Sequence, residues 1–421
     1  MKATVSSFAV VAVLLAGCSS FSPTSGVRRL SLADYRDRMA GAWLGQSVGV
    51  AYGWPTEFRY NGKTIPDEKL PTWSPELVNE TFSQDDLYVE MTFLRTLETR
   101  GLDVSCRAAG IDFANSRYRL WCANDRARNN LRRGVAAPAS AHPDNHSSTD
   151  DIDFQIESDF TGILSPGMPS RVLTLCGQFG RIMNRGDGLY AGAFVGALYA
   201  AAYFETDRVK TVERALEAIP SESGYAEMVR DLLAWYRENP GDWRSAWRKA
   251  VDKYRAKENL GRVSNPDISV RVNGAMVLLG YLFGEGDVER TMRIATAGGF
   301  DSDCNPSSAL GVLGVQLGAK AFGERYVGKL DMARKWEYTD YTYPKLLEVC
   351  ERLTREIVVA EGGRIVTEGG VEYFEIPERE VTDARCALDD PGSPSDRYTE
   401  AEMNEIRYLP TEKSGVESKE K

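Results

Sequence analysis

Residues 41–58 read GAWLGQSVGVAYGWPTEF, and this stretch decides the fold class of the chain. Glycine recurs in it at every fourth position, so the glycines fall on one face of a helix. A glycine inside a helix costs about 1 kcal/mol relative to alanine, so the stripe implies a second helix packed closely against it. Ser31 and Asp34 have the spacing of a capping box, which predicts that the helix begins just after Ser31.

Similar stripes of small residues recur along the chain, so close helix packing is expected throughout. Amphipathic periodicity predicts further helices over 225–236, 243–254 and 271–283, and alternating strand patterns are scarce before the C-terminal region. The sequence therefore predicts an all-α fold, a compact helical bundle. The stripes comprise Gly41, Gly45 and Gly49, then Gly188, Gly192, Gly196 and Ala200, and then Gly311, Gly314 and Gly318.

The C-terminal region differs in pattern from the helical part. Residues 364–367 and 371–376 alternate in polarity around Glu368-Gly369-Gly370, which predicts a small β-hairpin. From residue 389 the chain is polar and charged, a composition typical of disorder. The expected organisation is a helical domain over 31–360, a hairpin appendage over 361–388 and a disordered tail over 389–421.

The N-terminal residues resemble a bacterial lipoprotein signal. An apolar run over 8–16 follows a positive start and leads into LAGC at 15–18. The run is shorter than the ~20 residues needed to span a bilayer. We therefore expect removal of residues 1–17, lipidation of Cys18 and a flexible tether over 18–30. This predicts an extracytoplasmic protein of the bacterial cell envelope, attached to the membrane through its N-terminal lipid only.

The composition excludes several classes of function. A formal net charge of −10 disfavours binding to a nucleic-acid polymer, which requires Lys and Arg to neutralise phosphates. The only two histidines, His142 and His146, share one loop-like segment, which disfavours a catalytic triad. The cysteines lack CxxC spacing, so a thiolate zinc site is not expected, whereas Cys106 with Cys122 is a candidate disulfide in an exported protein. The chemistry should come from carboxylates or from a metal ion.

One acidic pair, Asp85-Asp86, lies in SQDDLYVEM at the start of a predicted helix. Ser83 and Asp86 have capping-box spacing, so both aspartates should lie in the first turn. Carboxylates there gain about 0.3–1 kcal/mol from the helix dipole and need no other role. By itself this pair is therefore typical of a structural feature.

A second acidic pair, Asp301 and Asp303, lies in GGFDSDCNPSSALGVLG before another predicted helix. Asn305 could cap that helix and Pro306 could begin it. Two acidic helix starts can supply four carboxylates to one point, and hard divalent cations such as Mg²⁺ prefer oxygen ligands. The two pairs together predict a shared metal site.

These motifs carry a resemblance to a known family. The segments GAWLGQSVGVAYGWPTEF, SQDDLYVEM and GGFDSDCNPSSALGVLG, with GDGLYAGAFVGALYAAAYF between the last two, resemble in order and separation the signature segments of the ADP-ribosylglycohydrolase family. The resemblance covers about residues 30–323. It implies an all-α fold, a centre of two divalent ions, usually Mg²⁺ or Mn²⁺, and hydrolysis at the anomeric carbon of an ADP-ribosyl group.

The resemblance assigns roles by position. Asp85 and Asp86 match the aspartates of the family's Thr-Asp-Asp-Thr motif, and Asp301 and Asp303 match those of its Asp-x-Asp-Thr motif. Glu57 matches the acidic residue after the first helix and is the candidate carboxylate for proton transfer. The candidate catalytic residues are Glu57, Asp85 and Asp303.

The chain also departs from the family pattern. Gln84 and Leu87 replace the flanking threonines of the first acidic motif, Cys304 replaces the threonine of the second, and Val50 stands where aspartate is usual. Gln84 could still donate an amide oxygen, whereas a thiol is a poor partner for a hard cation. One ion, or a different substrate, would fit these changes. The candidate metal ligands are Gln84, Asp85, Asp86, Asp301 and Asp303.

A further acidic segment, DIDFQIESDF, supplies candidate substrate-binding residues. Asp153, Glu157 and Asp159 occupy the place where the family has Asn-Gly-x-x-Met-Arg, and they could hold sugar hydroxyls or act as acid and base. The alternative is a solvated helix face. Asp187 in RGDGLYAG fits a helix N-cap better than a ligand.

Three functions fit these observations. The first is a metal-dependent hydrolase of N- or O-glycosidic bonds, whose substrate is a small molecule or a glycan outside the cytoplasm. The second is a metal-free glycosidase that uses two carboxylates, such as Glu57 with Asp153 or Asp159. The third is a non-catalytic envelope protein that binds a sugar or a protein partner.

Overall fold

The computed structural model describes residues 26–255, 262–379, 381, 388 and 392–408. The predicted all-α fold is confirmed, because helices dominate these residues and only one small sheet accompanies them. The helices are α1 (Leu32–Gly53), α2 (Asp85–Arg100), α3 (Cys106–Ala114), α4 (Cys122–Arg132), α5 (Asp153–Ile156), α6 (Asp159–Ile163), α7 (Pro169–Phe179), α8 (Asp187–Ala202), α9 (Arg208–Leu216), α10 (Gly224–Glu238), α11 (Trp243–Ala250), α12 (Val270–Phe283), α13 (Val288–Ala297), α14 (Cys304–Leu317), α15 (Gly323–Val327), α16 (Tyr343–Ala360) and α17 (Glu400–Met403).

Helices α1 and α14 form the centre of the bundle and run antiparallel in close contact. A Cβ added to Gly45 would lie 2.2 Å from the carbonyl oxygen of Leu310, and one added to Gly53 would lie 1.8 Å from that of Ser302. Gly314 on α14 meets α1 in the same way. The predicted close approach is confirmed, and it brings the end of α1 next to the start of α14.

The stripe on α8 positions a different segment. A Cβ on Gly192 would lie 2.3 Å from the ring of Phe154, and one on Gly196 would lie 2.1 Å from the hydroxyl oxygen of Thr161. Phe154 and Thr161 belong to α5 and α6, the two short helices that carry the acidic segment after residue 150. The glycines of α8 therefore let this segment lie against the bundle core.

The predicted hairpin is present as part of a three-stranded antiparallel sheet. Strands β2 (Arg364–Glu368) and β3 (Val371–Pro377) pair as expected, and β1 (Val27–Ser31) joins the other edge of β3. The predicted tether over 18–30 is therefore wrong for its last residues, because Leu30 is buried opposite Phe374. Ser31 then caps α1, accepting a hydrogen bond from the backbone N–H of Asp34 as predicted.

The C-terminal segment also differs from expectation. Residues 392–408 do not behave as the predicted disordered tail, since Tyr398 is buried and donates a hydrogen bond to the carbonyl oxygen of Arg107 on α3. Arg107 in turn forms an ion pair with Glu402 on α17. These contacts fix a polar segment against the bundle. The rest of the tail, from residue 409, lies outside the described residues.

The N-terminal predictions concern residues that the structure does not describe. The expected signal segment over 1–17 and Cys18 both lie outside the described residues. Within the part of the chain that is described, no helix combines the length and the apolar character needed to cross a membrane.

Candidate active site

The two predicted acidic pairs meet at one thiol. One carboxylate oxygen each of Asp85 and Asp86 and the sulfur of Cys304 all lie within 4.8 Å of one another. Oxygens of Asp301 and Asp303 form a second such group with the same sulfur. We call these five residues the acidic centre. It lies in the interior, since only Asp85 is more than slightly exposed.

The helix starts place these side chains, although the caps differ from those predicted. Helix α2 begins at Asp85 after Gln84, and the hydroxyl of Ser83 donates to the carbonyl oxygen of Glu80 instead of capping the helix. Ser83 lies in the preceding 3₁₀ turn, which shifts the start of α2 by one residue. The side-chain nitrogen of Gln84 also donates to the Glu80 carbonyl oxygen, at 3.3 Å, so the preceding turn holds this predicted metal ligand.

A buried asparagine holds the second acidic helix start. The side-chain oxygen of Asn273 on α12 accepts hydrogen bonds from the backbone N–H of Asp301 at 3.2 Å and from Nδ2 of Asn305 at 3.0 Å. The predictions that Asn305 caps α14 and that Pro306 begins it are wrong, because α14 begins two residues before Pro306, at Cys304, and the side chain of Asn305 donates to Asn273 on α12. Asn273 was not among the predicted site residues, although an asparagine inside the apolar run VRVNGAMVLLGYLF was a usable signal.

The loop that carries Glu57 is tied to the loop before Asp301. The backbone N–H of Phe58 donates to the carbonyl oxygen of Phe300 at 2.8 Å. Both residues have left-handed backbones, with φ of 49° and 59°. Such conformations cost about 1–3 kcal/mol each and persist only where the surroundings impose them, which is common at functional sites. This connection places Glu57 at the mouth of the acidic centre, with its side chain open to solvent.

Burial and mutual repulsion shape the protonation of these groups. Burial, with additional repulsion from Asp86 and Asp85, raises the pKa of Asp303 to about 7. Desolvation, followed by repulsion from Asp303 and Asp85, raises the pKa of Glu57 to about 8. Burial also raises the pKa of Asp86 and of Asp301 well above the usual range. The centre thus holds more negative charge than its protein surroundings neutralise.

Two carboxylate oxygens of the acidic centre lack a protein partner. Oδ2 of Asp301 and Oδ1 of Asp303 are buried and accept no hydrogen bond from the described residues. A buried carboxylate oxygen without a donor is costly unless a cation or an ordered water satisfies it. These free oxygens therefore fit a divalent cation.

Asp153 and Glu157 extend the acidic centre instead of facing solvent. Both are buried: Asp153 accepts a hydrogen bond from the backbone N–H of Ala123 at 3.1 Å, and Glu157 accepts one from Nδ2 of Asn124. The pKa of each carboxyl is raised well above its usual range, mainly by desolvation, with further repulsion from Asp85 among other groups. The alternative of a solvated helix face is therefore wrong for these two residues.

Unlike Asp153 and Glu157, Asp159 is bound between helices α8 and α14. It accepts hydrogen bonds from the hydroxyls of Tyr199 on α8, at 3.0 Å, and Ser308 on α14, at 3.3 Å. Desolvation raises the pKa of Asp159 to about 8. The neighbouring Glu90 on α2 is fully buried, and Oε2 accepts the backbone N–H of Phe160. Sequence analysis did not single out Glu90, because one glutamate on an amphipathic helix carries no distinguishing signal.

Three tyrosines form a wall beside the acidic centre. The ring of Tyr88, one turn after Asp85 on α2, lies 5.0 Å from that of Tyr118 and 5.2 Å from that of Tyr338. We call these three rings the tyrosine wall. Tyr338 is 54% exposed and has a left-handed backbone with φ of 61°. The backbone N–H of Glu337, the residue before Tyr338, donates to the carbonyl oxygen of Phe82 and holds this turn in place.

Other predicted features have structural roles. Asp187 is the first residue of α8 and not its N-cap, and its carboxylate pairs with Arg271. His146 is buried, and desolvation lowers its pKa to about 4, so it stays neutral. Cys106 and Cys122 are both free thiols, so the candidate disulfide is wrong.

Comparison with known proteins identifies the family. A model of the ADP-ribosylglycohydrolase family matches residues 31–362. The chain belongs to this family. One solved structure, an "ADP-ribosylglycohydrolase-related protein complex", is similar to it with 19% identity and a TM-score of 0.47, covering 77% of this chain and 99% of the other. The comparison with curated proteins finds no match.

Membership in the ADP-ribosylglycohydrolase family gives the acidic centre its context. The chain is an ADP-ribosylglycohydrolase-like hydrolase. Members of this family typically use divalent metal ions, and the acidic centre supplies two groups of candidate ligands for one. One departure from the family pattern affects the first acidic pair. Leu87, which stands in place of a threonine, is fully buried in the core and offers no oxygen next to Asp85 and Asp86.

Proposed function

We propose that this protein is a metal-dependent hydrolase that cleaves an N- or O-glycosidic bond at an anomeric carbon. The observation that carries the proposal is the meeting of two acidic pairs, from separate helix starts, with buried oxygens that no described donor satisfies. Carboxylate oxygens suit Mg²⁺ or Mn²⁺. The ligands would be Asp85, Asp86, Asp301 and Asp303, with one or two ions held between them.

In the proposed reaction, Glu57 transfers protons, and Asp85 and Asp303 orient the attacking water. A bound divalent ion would act as a Lewis acid that holds sugar hydroxyls and polarises a water molecule. The water oxygen bonds to the anomeric carbon, and the bond to the leaving oxygen or nitrogen breaks. Glu57 donates its carboxyl proton to the leaving atom and regains a proton from the attacking water. Asp85 and Asp303, the two carboxylates that act most strongly on Glu57, orient that water.

The raised pKa of Glu57 suits this role. A general acid works best when its pKa lies near the working pH, because it is then protonated and still able to release its proton. Desolvation is the largest cause of the shift, and it depends on the surrounding protein alone. The position at the mouth gives Glu57 access to a leaving group that points to solvent.

The substrate is proposed to be a small glycoside or a glycan outside the cytoplasm. Cleavage of the N-terminal signal and lipidation of Cys18 would place the enzyme in the cell envelope, held to the membrane by its lipid only. Asp153 and Glu157 would bind sugar hydroxyls, since they line the same interior cluster as Asp85. The exposed ring of Tyr338 offers a surface on which a sugar or base can stack.

A screen of ADP-ribosyl substrates and glycosides with Mg²⁺, Mn²⁺ or Ca²⁺ tests the proposal. We expect turnover that chelation abolishes and that Asp303→Asn lowers by at least ~10²-fold, the usual scale for loss of one transition-state interaction. Asp252→Asn, at an exposed aspartate that is not part of the acidic centre, serves as the matched control. Turnover that survives chelation would instead support a two-carboxylate glycosidase, and saturable sugar binding without turnover would support a binding protein.

A further inference from the structure

The sulfur of Cys304 is shared by the two halves of the acidic centre. It belongs to both groups of candidate ligand atoms, one with Asp85 and Asp86 and the other with Asp301 and Asp303. Cys304 is the first residue of α14 and is 3% exposed. Every group of three candidate ligands found among the described residues therefore contains this one thiol.

The neighbouring carboxylates indicate that this thiol faces a ligand site and does not simply fill the core. Oδ2 of Asp301 and Oδ1 of Asp303 belong to residues that are 98% buried, and no described donor reaches either oxygen. Both residues supply oxygens to the group that contains the Cys304 sulfur. By contrast, the buried thiols of Cys176 and Cys350 belong to no such group among the described residues.

Sulfur and oxygen select different metal ions. Mg²⁺ requires hard oxygen ligands in a near-octahedral arrangement, whereas a thiolate favours softer ions and binds Zn²⁺ at about 2.3 Å. We propose that Cys304 is a metal ligand and that it shifts the selectivity of the centre from Mg²⁺ towards a borderline ion such as Zn²⁺ or Co²⁺. This inference rests on the metal site in the proposed function, and it specifies which ion that site prefers.

Binding would couple the ion to the thiol proton. The thiolate is the form that binds a metal, so loading the centre with Zn²⁺ releases the Cys304 proton to solvent. The four carboxylates supply the remaining ligand atoms and more than balance the charge of one ion. A mixed set of one sulfur and several oxygens is therefore chemically complete without histidine.

Equilibrium binding of Zn²⁺ and Mg²⁺ to the full chain tests the proposal. The variants are Cys304→Ser and Cys304→Thr, which replace sulfur by oxygen, and Cys176→Ser makes the same change at a buried thiol outside the centre. We expect the preference for Zn²⁺ over Mg²⁺ to fall by at least ~10–100-fold in both Cys304 variants, since even outer-sphere partners of a metal contribute that much affinity. The Cys176 variant should keep the wild-type preference.

A spectroscopic measurement on the wild type keeps the test independent of whether the variants fold. The Co²⁺-loaded protein should show a sulfur-to-cobalt charge-transfer band in the near ultraviolet, which Cys304→Ser removes and Cys176→Ser retains. An unchanged Zn²⁺ preference in the Cys304 variants, or a Co²⁺ spectrum without that band, would overturn the inference. If ions still bind and Asp303→Asn abolishes their binding, only the role of Cys304 fails. If the wild type binds no divalent ion, the metal-dependent function itself fails.

Discussion

The metal-free protein should be destabilised by its own acidic centre, and Asp303→Asn should relieve this. The carboxyl of Asp303 has a pKa near 3.8 in the unfolded chain and about 7 in the fold, because burial and neighbouring carboxylates penalise its charge. An acid whose pKa is raised by folding is stabilising at low pH. That stability is lost as the pH rises from about 4 to about 7 and stays lost above it.

The size of the effect follows from the two pKa values. At 1.36 kcal/mol for each pKa unit, ionisation of Asp303 in the fold costs at most about 4 kcal/mol of unfolding free energy at pH 8. Asparagine has nearly the same shape and no charge. We therefore expect Asp303→Asn to be more stable than the wild type at pH 8 without metal, by about 1–4 kcal/mol, and to match it near pH 4.

Urea denaturation of both proteins in EDTA at pH 4 and pH 8 measures this difference. Asp252→Asn provides the control for general effects of charge, because that side chain is exposed. Addition of a divalent ion should reverse the order at pH 8, since the wild type gains the free energy of binding and the variant does not. If the metal-free variant is less stable than the wild type at pH 8, the charge of Asp303 does not destabilise the fold.

Three further predictions concern packing, orientation and substrate contact. Gly45→Ala should lower the unfolding free energy, measured by urea denaturation, by about 1–3 kcal/mol, because its Cβ would collide with the Leu310 carbonyl. As a control, Gly177→Ala should be neutral or stabilising by up to ~1 kcal/mol, because its Cβ meets no close neighbour. Equal effects of the two would contradict the close approach of α1 and α14. Asn273→Ala should weaken divalent-ion binding by about 10–100-fold in calorimetry, because Asp301 loses its anchor; unchanged affinity would exclude this role. Tyr338→Ala should raise KM with little change in kcat or thermal stability, because the ring is exposed, and an unchanged KM would show that the ring does not contact substrate.

Patterns that are local in sequence predicted much of the fold. The four-residue spacing of glycines predicted that another helix packs closely against α1, because a helix places such residues on one face whatever lies opposite. The hairpin of β2 and β3 was similarly visible in alternating residues around Gly369-Gly370. In each case the signal lies within one short stretch of sequence, although the partner helix of α1 lies far along the chain.

Features that depend on distant contacts could not be predicted. Strand β1 forms because β3, more than 300 residues later, offers an edge and a buried partner for Leu30. Residues 392–408 are held against α3, where Arg107 pairs with Glu402 and accepts a hydrogen bond from Tyr398 at its carbonyl oxygen, and nothing in their polar composition signals this. The cap predicted at Asn305 failed for the same reason, since its side chain donates a hydrogen bond to the distant Asn273. The cap predicted at Ser83 failed for a local reason, because that hydroxyl donates to the carbonyl oxygen of Glu80 in the preceding turn.

The candidate site was predictable in part. The family resemblance brought Asp85, Asp86, Asp301 and Asp303 together in advance, and the structure places them around Cys304. The burial of Asp86, Asp301 and Asp303, and that of Glu157 and Asp153, ran against the expectation that carboxylates stay solvated. Sequence spacing cannot report burial of this kind, because it depends on how the helices close around the segment.

The central claim is that two separate acidic pairs form one divalent-cation site. Anomalous diffraction from crystals of the wild type soaked in Mn²⁺ tests it most directly, because the signal locates and counts the bound ions. We expect one or two peaks within coordination distance of Asp85, Asp86, Asp301 and Asp303, and none there in Asp303→Asn. A wild-type map without a peak among these four carboxylates would contradict it.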